Sequence, residues 1–129
     1  MSTPLLPDLD QVLSLNAQLA ERYGGERGVS APEVLRSTLC RPLDRCGGGI
    51  LDEAAWIFAQ ILIERPFAGA NARTAFAVLD IILRLNGHRI ALHPEALLGE
   101  LRGLCSTHTP DPEQIRLWVH RLVEQPDLF

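Results

Sequence analysis

DEAAWIFAQILIE (residues 52–64) and NARTAFAVLDIILRL (residues 71–85), joined by RPFAGA (residues 65–70), are the stretches that decide how this chain folds. In the first, Ala54, Ala55, Trp56, Ile57, Phe58, Ala59, Ile61, Leu62 and Ile63 run nearly all the way round a helix, the pattern of a helix buried on every side. In the second, Phe76, Val78, Leu79, Ile81, Ile82 and Leu83 are the apolar set, and Asn86-Gly87 supplies a C-terminal stop. Neither stretch alternates apolar and polar residues, so neither reads as a half-buried strand. The pattern predicts two central helices sharing one core.

Working outward, the first helix is expected to begin near Asp8 or Asp10, carry Leu9, Val12, Leu13, Leu19 and Tyr23 on or near one face, and stop at Gly24-Gly25. Ser30-Ala31-Pro32-Glu33 combines an N-cap serine, an early proline and a glutamate three residues on, and opens a short helix to about Leu39. Residues 41–49 read as a loop ending in Gly47-Gly48-Gly49. His93-Pro94-Glu95 opens a fifth helix with Leu97, Leu98, Leu101 and Leu104. Asp111-Pro112-Glu113 opens a sixth with Ile115, Trp118, Val119 and Leu122, and residues 125–129 are expected to fray. The expectation is an all-α, single-domain fold of about six helices spanning residues 1–129.

Composition agrees and excludes several chemistries. At 129 residues, 47% hydrophobic, 22% charged and 5% aromatic, the chain suits one globular core rather than disorder. All twelve basic residues are arginine, so Schiff-base chemistry, a P-loop lysine and a lysine general base are ruled out. A net charge of −4 and the absence of a basic run weigh against nucleic acid as partner. No segment has the length and apolarity of a membrane span, and the start lacks a signal-peptide pattern, so a cytoplasmic location is expected. Three cysteines, Cys40, Cys46 and Cys105, do not make a disulfide framework.

The connection Arg65-Pro66-Phe67-Ala68-Gly69-Ala70-Asn71-Ala72-Arg73 carries the chemistry. Small residues at Ala68, Gly69 and Ala70 let a ligand approach the backbone, and Asn71 reads as the N-cap of the next helix. That helix N-terminus offers free N–H groups and partial positive charge, to which Arg73 adds a forked cationic donor. Two readings of the spacing stay open: a phosphate pocket flanked by Arg65 and Arg73, or a tight helix–helix turn with solvated arginines.

The same residues resemble the Fic/Doc signature His-x-Phe-x-Asp/Glu-Gly/Ala-Asn-Gly/Lys-Arg. The ending Asn71-x-Arg73-Thr74-Ala75 is most similar to the death-on-curing toxin branch. The likeness extends from about Leu9 to Leu122 and takes in Arg22-Tyr23-Gly24-Gly25, Gly28-Val29-Ser30 and Leu83-Arg84-Leu85-Asn86-Gly87. The resemblance implies a compact helical domain with the motif loop between two central helices. It also implies transfer of AMP or phosphate from ATP, with Mg2+, to a protein hydroxyl, a translation factor being the target in Doc-type members. By the same resemblance Phe67 packs the loop into the core, Gly69, Ala70, Asn71 and Arg73 line the nucleotide phosphates, and Asn71 and Arg73 are retained binding residues. The general-base histidine position is Arg65, and arginine stays protonated far above neutral pH and cannot take the hydroxyl proton. The Mg2+ carboxylate position is Gly69, which offers no ligand, and the lysine position of the toxins is Ala72. The expectation is therefore a Doc-type protein that holds nucleotide or phosphate and is impaired for transfer. The rivals are an active transferase with an atypical base, for which Glu64 and His88 are candidates by residue type, and a non-catalytic domain that binds an antitoxin or target.

The resemblance also places a target-pairing flap at residues 41–49, where Arg41 and Arg45 could touch phosphate; the other reading is a solvated glycine-rich connector. Cys40, Cys46, Cys105 and His108 can be drawn as a zinc site but lack a tight Cys-x2-Cys knuckle, so no metal ligands are expected. Asp80, four residues before Arg84, reads as half of a surface ion pair. Residues 109–114 depart from the family's inhibitory helix motif at Gln114, and an antitoxin whose C-terminal segment folds onto the chain is the partner the resemblance implies.

Overall fold

The computed structural model describes residues 5–39, 49–90, 94–105 and 111–124. Their first helix, α1 (Leu9–Tyr23), starts behind Asp8. The Asp8 carboxylate accepts the Gln11 N–H, and the Gln11 side-chain carbonyl accepts the Asp8 N–H, each at 2.8 Å. This reciprocal box satisfies two donors that a bare helix start would leave open. Helix α2 (Pro32–Leu39) uses proline in its first turn, where no N–H is missed. Helices α3 (Ile50–Glu64) and α4 (Asn71–Leu85) are the expected central pair. Helices α5 (Pro94–Cys105) and α6 (Pro112–Glu124) open at the expected prolines.

The fold is all-α. The described residues contain no strand, only one isolated antiparallel bridge between Val29 and Phe67. Helix α3 is the hub, packing against α4, α6 and α2, and α1 lies against α4 and α2. Eight of its fifteen residues are buried, among them Ala54, Ala55, Ile57, Phe58, Ala59, Ile61 and Leu62. From α4, Ala75, Val78, Leu79, Ile82 and Leu83 meet them, and α6 adds Ile115, Trp118, Val119 and Leu122. Trp118 packs on Phe58 with ring centroids 5.6 Å apart at a tilt of 31°. Each fully buried side chain of this size stabilises the fold by roughly 1.5–3 kcal/mol, so this three-helix contact dominates the energetics.

Two polar ties fix the helices in register. The Asp52 carboxylate of α3 lies 2.6 Å from His120 Nε2 and 3.5 Å from Arg116, both on α6. At the far end of α4, the Asn86 side chain donates to the Leu5 and Ile82 carbonyls and accepts the Leu5 N–H, which binds Leu5, ahead of α1, to the α4 stop. The stop itself matches expectation: Gly87 takes φ 86°, and the His88 N–H reaches back 2.8 Å to the Leu83 carbonyl. Asp80 and Arg84 form the expected i,i+4 pair at 3.0 Å, with the arginine exposed. No described helix is long and apolar enough to cross a membrane.

One expectation for α1 fails. Its buried stripe is Val12, Asn16 and Ala20, while Tyr23 is 52% exposed. Helical spacing puts Tyr23 at the same angle as this stripe, but it is the last residue of α1, ahead of Gly24, and its ring meets the guanidinium groups of Arg22 and Arg73 instead of the core.

Candidate functional site

Helix α3 is followed at its C-cap by Arg65, which takes the left-handed conformation (φ 51°, ψ 60°) with its N–H on the Ile61 carbonyl at 3.1 Å. Pro66 then bars any continuation of the helix. At the other end of the loop Ala70 is also left-handed (φ 57°, ψ 32°) and stands at the cap position of α4, with no side chain capping it. Among the described residues these are the only two non-glycines with positive φ. Each carries strain of roughly 1 kcal/mol, held in place by the structure around it.

Three sets of hydrogen bonds hold that shape. On the outside, residues 28–31 lie along the loop: the Ala68 N–H donates to the Gly28 carbonyl at 2.9 Å, and the Ser30 and Ala31 N–H groups donate to the Pro66 carbonyl at 2.7 and 3.0 Å. This leaves the main chain of buried Phe67 facing the other way, where Asn71 meets it. Asn71 Oδ1 accepts the Phe67 N–H and Asn71 Nδ2 donates to the Phe67 carbonyl, both at 2.9 Å. From beneath, the buried Asn16 Nδ2 of α1 donates to the Gly69 carbonyl and to Thr74 Oγ1, each at 3.0 Å.

Asn71 is therefore not the N-cap expected from its type. It is the first residue of α4, and Ala70 holds the cap position. The reason is that Phe67 presents a donor and an acceptor side by side, so a primary amide satisfies both, where a cap would satisfy one. The loop-packing role expected for Phe67 fits its 2% exposure. Arg65 and Arg73 are both exposed, at opposite ends of the segment. Arg73, in the first turn of α4, lies over the Tyr23 ring with its guanidinium carbon 4.2 Å from the centroid, and Arg22 approaches the same ring at 5.6 Å. Stacking uses the flat face of a guanidinium and leaves its in-plane N–H donors for an anion.

Position 69, where the family resemblance places a magnesium carboxylate, does not fit the ion. Glycine offers no donor, and a β-carbon there would stand 2.8 Å from the Glu26 nitrogen and 2.9 Å from its carbonyl oxygen. Of the two substitute bases named by residue type, Glu64 is the exposed last residue of α3, next to Arg65. His88 lies beyond the opposite end of the fifteen-residue α4, about 20 Å along the axis from the loop at 1.5 Å per residue, and cannot serve it.

Arg41 and Arg45, with residues 41–48 of the segment expected to form a flap or a connector, and Cys40, Cys46 and His108 of the drawn zinc site lie outside the described residues, as do residues 125–129. Four roles in the site were not anticipated from sequence: the Asn16–Thr74 support, the Gly25–Glu26 segment on Gly69, the strip 28–31 and the Tyr23 platform. Tyr23, Gly25 and residues 28–30 fall in segments that carry the family resemblance, and Asn16 shows as a polar residue midway between Val12 and Ala20 in the buried stripe of α1. A comparison of the chain with protein-family models found no match, and a comparison with curated proteins found none either.

Proposed function

We propose that this chain is a Doc-type, Fic-like protein that binds a nucleotide or phosphate at residues 65–73 and is impaired for AMP or phosphate transfer to a protein hydroxyl. The observation that carries the reading is the uncapped N-terminus of α4 behind left-handed Ala70, with the exposed guanidinium of Arg73 in its first turn. Free N–H groups, the positive end of the helix dipole and a forked cation together suit an oxyanion.

Binding and transfer then separate by residue. Arg73 and the first-turn N–H groups hold the anion, while Asn71 and Asn16 keep the loop in the shape that presents them. Arg65 adds positive charge at the other end of the loop but accepts no proton. Losing a general base costs about 10²- to 10⁴-fold in rate, so a chain with arginine there retains affinity and loses turnover. A nucleotide ligand goes with a cytoplasmic protein, and a segment of an antitoxin is the partner this reading carries with it.

Calorimetry with ATP and with inorganic phosphate tests the proposal. The expected result is saturable binding that Arg73→Gln weakens about tenfold, near 1.4 kcal/mol, with melting temperature unchanged. Labelled ATP incubated with lysate should leave no labelled protein above background. No binding of either ligand refutes the site, and lysate labelling abolished by Arg73→Gln refutes the impairment.

A further inference from the structure

The Gly25–Glu26 segment lies directly on the loop. A β-carbon on Gly69 would meet the Glu26 nitrogen at 2.8 Å, the Glu26 carbonyl oxygen at 2.9 Å and the Gly25 carbonyl carbon at 3.4 Å. All three are main-chain atoms, so no side-chain rotation makes room. A β-carbon on Gly25 would in turn touch the Ala70 nitrogen at 3.7 Å, so the two glycines mark a close approach of one backbone to the other. The segment is tied down next door by the Ala68 to Gly28 hydrogen bond, and Gly69 is held from below by Asn16. Gly69 is absent from the residues with positive φ, so space and not backbone conformation requires glycine.

We infer that position 69 is closed by the main chain of Gly25–Glu26, and that the loop takes its oxyanion ligand without a divalent cation held there. The inference rests on the proposed anion-binding reading for its ligand, but the closure of position 69 is a separate matter of packing. It makes Gly69 a structural residue where the family resemblance implies a metal ligand. Restoring a carboxylate by Gly69→Asp would push the Gly25–Glu26 main chain off the loop rather than build a cation site.

Two measurements test it. In calorimetry with inorganic phosphate and with ATP, affinity should agree within about threefold with chelator and with excess Mg2+; binding that needs Mg2+ overturns the inference and leaves the proposed function standing. If neither ligand binds, the proposed function falls, and the second measurement decides position 69 by itself. There, Mn2+ alone is titrated while the Ala68 and Ala70 amides are followed by NMR, and amide exchange is compared in the native chain and in Gly69→Ala. The expected result is no selective broadening by Mn2+, with the Ala68 N–H exchanging at least tenfold faster in Gly69→Ala because its Gly28 partner has moved. Selective broadening at Ala68 and Ala70, or unchanged exchange in Gly69→Ala, overturns the inference. Should Gly69→Ala fail to fold, the Mn2+ titration of the native chain decides.

Discussion

Replacing Asn71 by alanine removes a side chain whose two polar atoms both serve the main chain of Phe67, at 2.9 Å each. Asn71 is 5% exposed and Phe67 2%, so the N–H and carbonyl left behind face little water. Each of the two buried groups left unpaired costs a desolvation penalty of about 1–3 kcal/mol. Water entering the vacated space recovers part of that, which brings the expected loss to about 3 kcal/mol. With a urea slope of about 2 kcal/mol/M for a chain of this size, the midpoint should fall by about 1.5 M. The assay is urea unfolding followed by circular dichroism, with phosphate binding measured beside it on the folded variant. Asn71→Asp sharpens the test: it keeps an acceptor for the Phe67 N–H but turns an oxygen on the Phe67 carbonyl, and should be at least as damaging. A change below about 0.5 kcal/mol in Asn71→Ala, accompanied by lost phosphate binding, would refute the clasp and make Asn71 a direct ligand.

Thr74→Val removes the hydroxyl that accepts from Asn16 while keeping its shape, and should cost about 1 kcal/mol in thermal unfolding. Asn16→Asp sets a carboxylate against the Gly69 carbonyl and should cost clearly more; equal effects would mean that the Asn16 to Gly69 bond contributes nothing. On α6, the bidentate contact with Arg116 holds the exposed Glu113 carboxyl below its ordinary value. A carboxyl depressed in the folded state stabilises it above the unfolded pKa of about 4.3, and that advantage disappears as pH falls through the lower folded value. Glu113→Gln should therefore melt slightly lower at neutral pH, with a gap that closes in acid and in high salt; a gap that widens in acid refutes the assignment.

Helix starts and stops were legible because local chemistry sets them. Pro32, Pro94 and Pro112 open helices, Gly24 and Gly87 close them, and α4 runs from Asn71 to Leu85 as its pattern implies. The buried faces of α3 and α4 were legible for the same reason: apolar residues nearly all round one helix and in a broad stripe on the other leave few ways to exclude water. The loop was legible in residue types but not in roles. Nothing local says that Ala70 rather than Asn71 holds the cap position, because that depends on Phe67 turning its main chain away from residues 28–31, a contact made across the fold. Gly69 reads as small and permissive, and its need for glycine appears only once Glu26 is beside it. Tyr23 fits the apolar composition of α1 yet becomes a platform for Arg73, a residue fifty positions further on.

The contacts that shape the loop span long stretches of chain. Asn16 reaches Gly69 and Thr74 across 53 and 58 positions, whereas α3 and α4 are sequence neighbours in direct contact. Contacts of such separation carry a loop-closure entropy that local pairing does not, so they form late as the chain folds. The α3–α4 hairpin should then assemble first with its connection still unshaped, and the docking of α1 and the strip behind it sets Ala70 and Gly69 in place. A lesion that undocks α1 would thus cost the proposed anion site its shape along with the core contacts of Val12, while α3, α4 and α6 keep theirs, so ligand binding should fall further than far-ultraviolet circular dichroism changes.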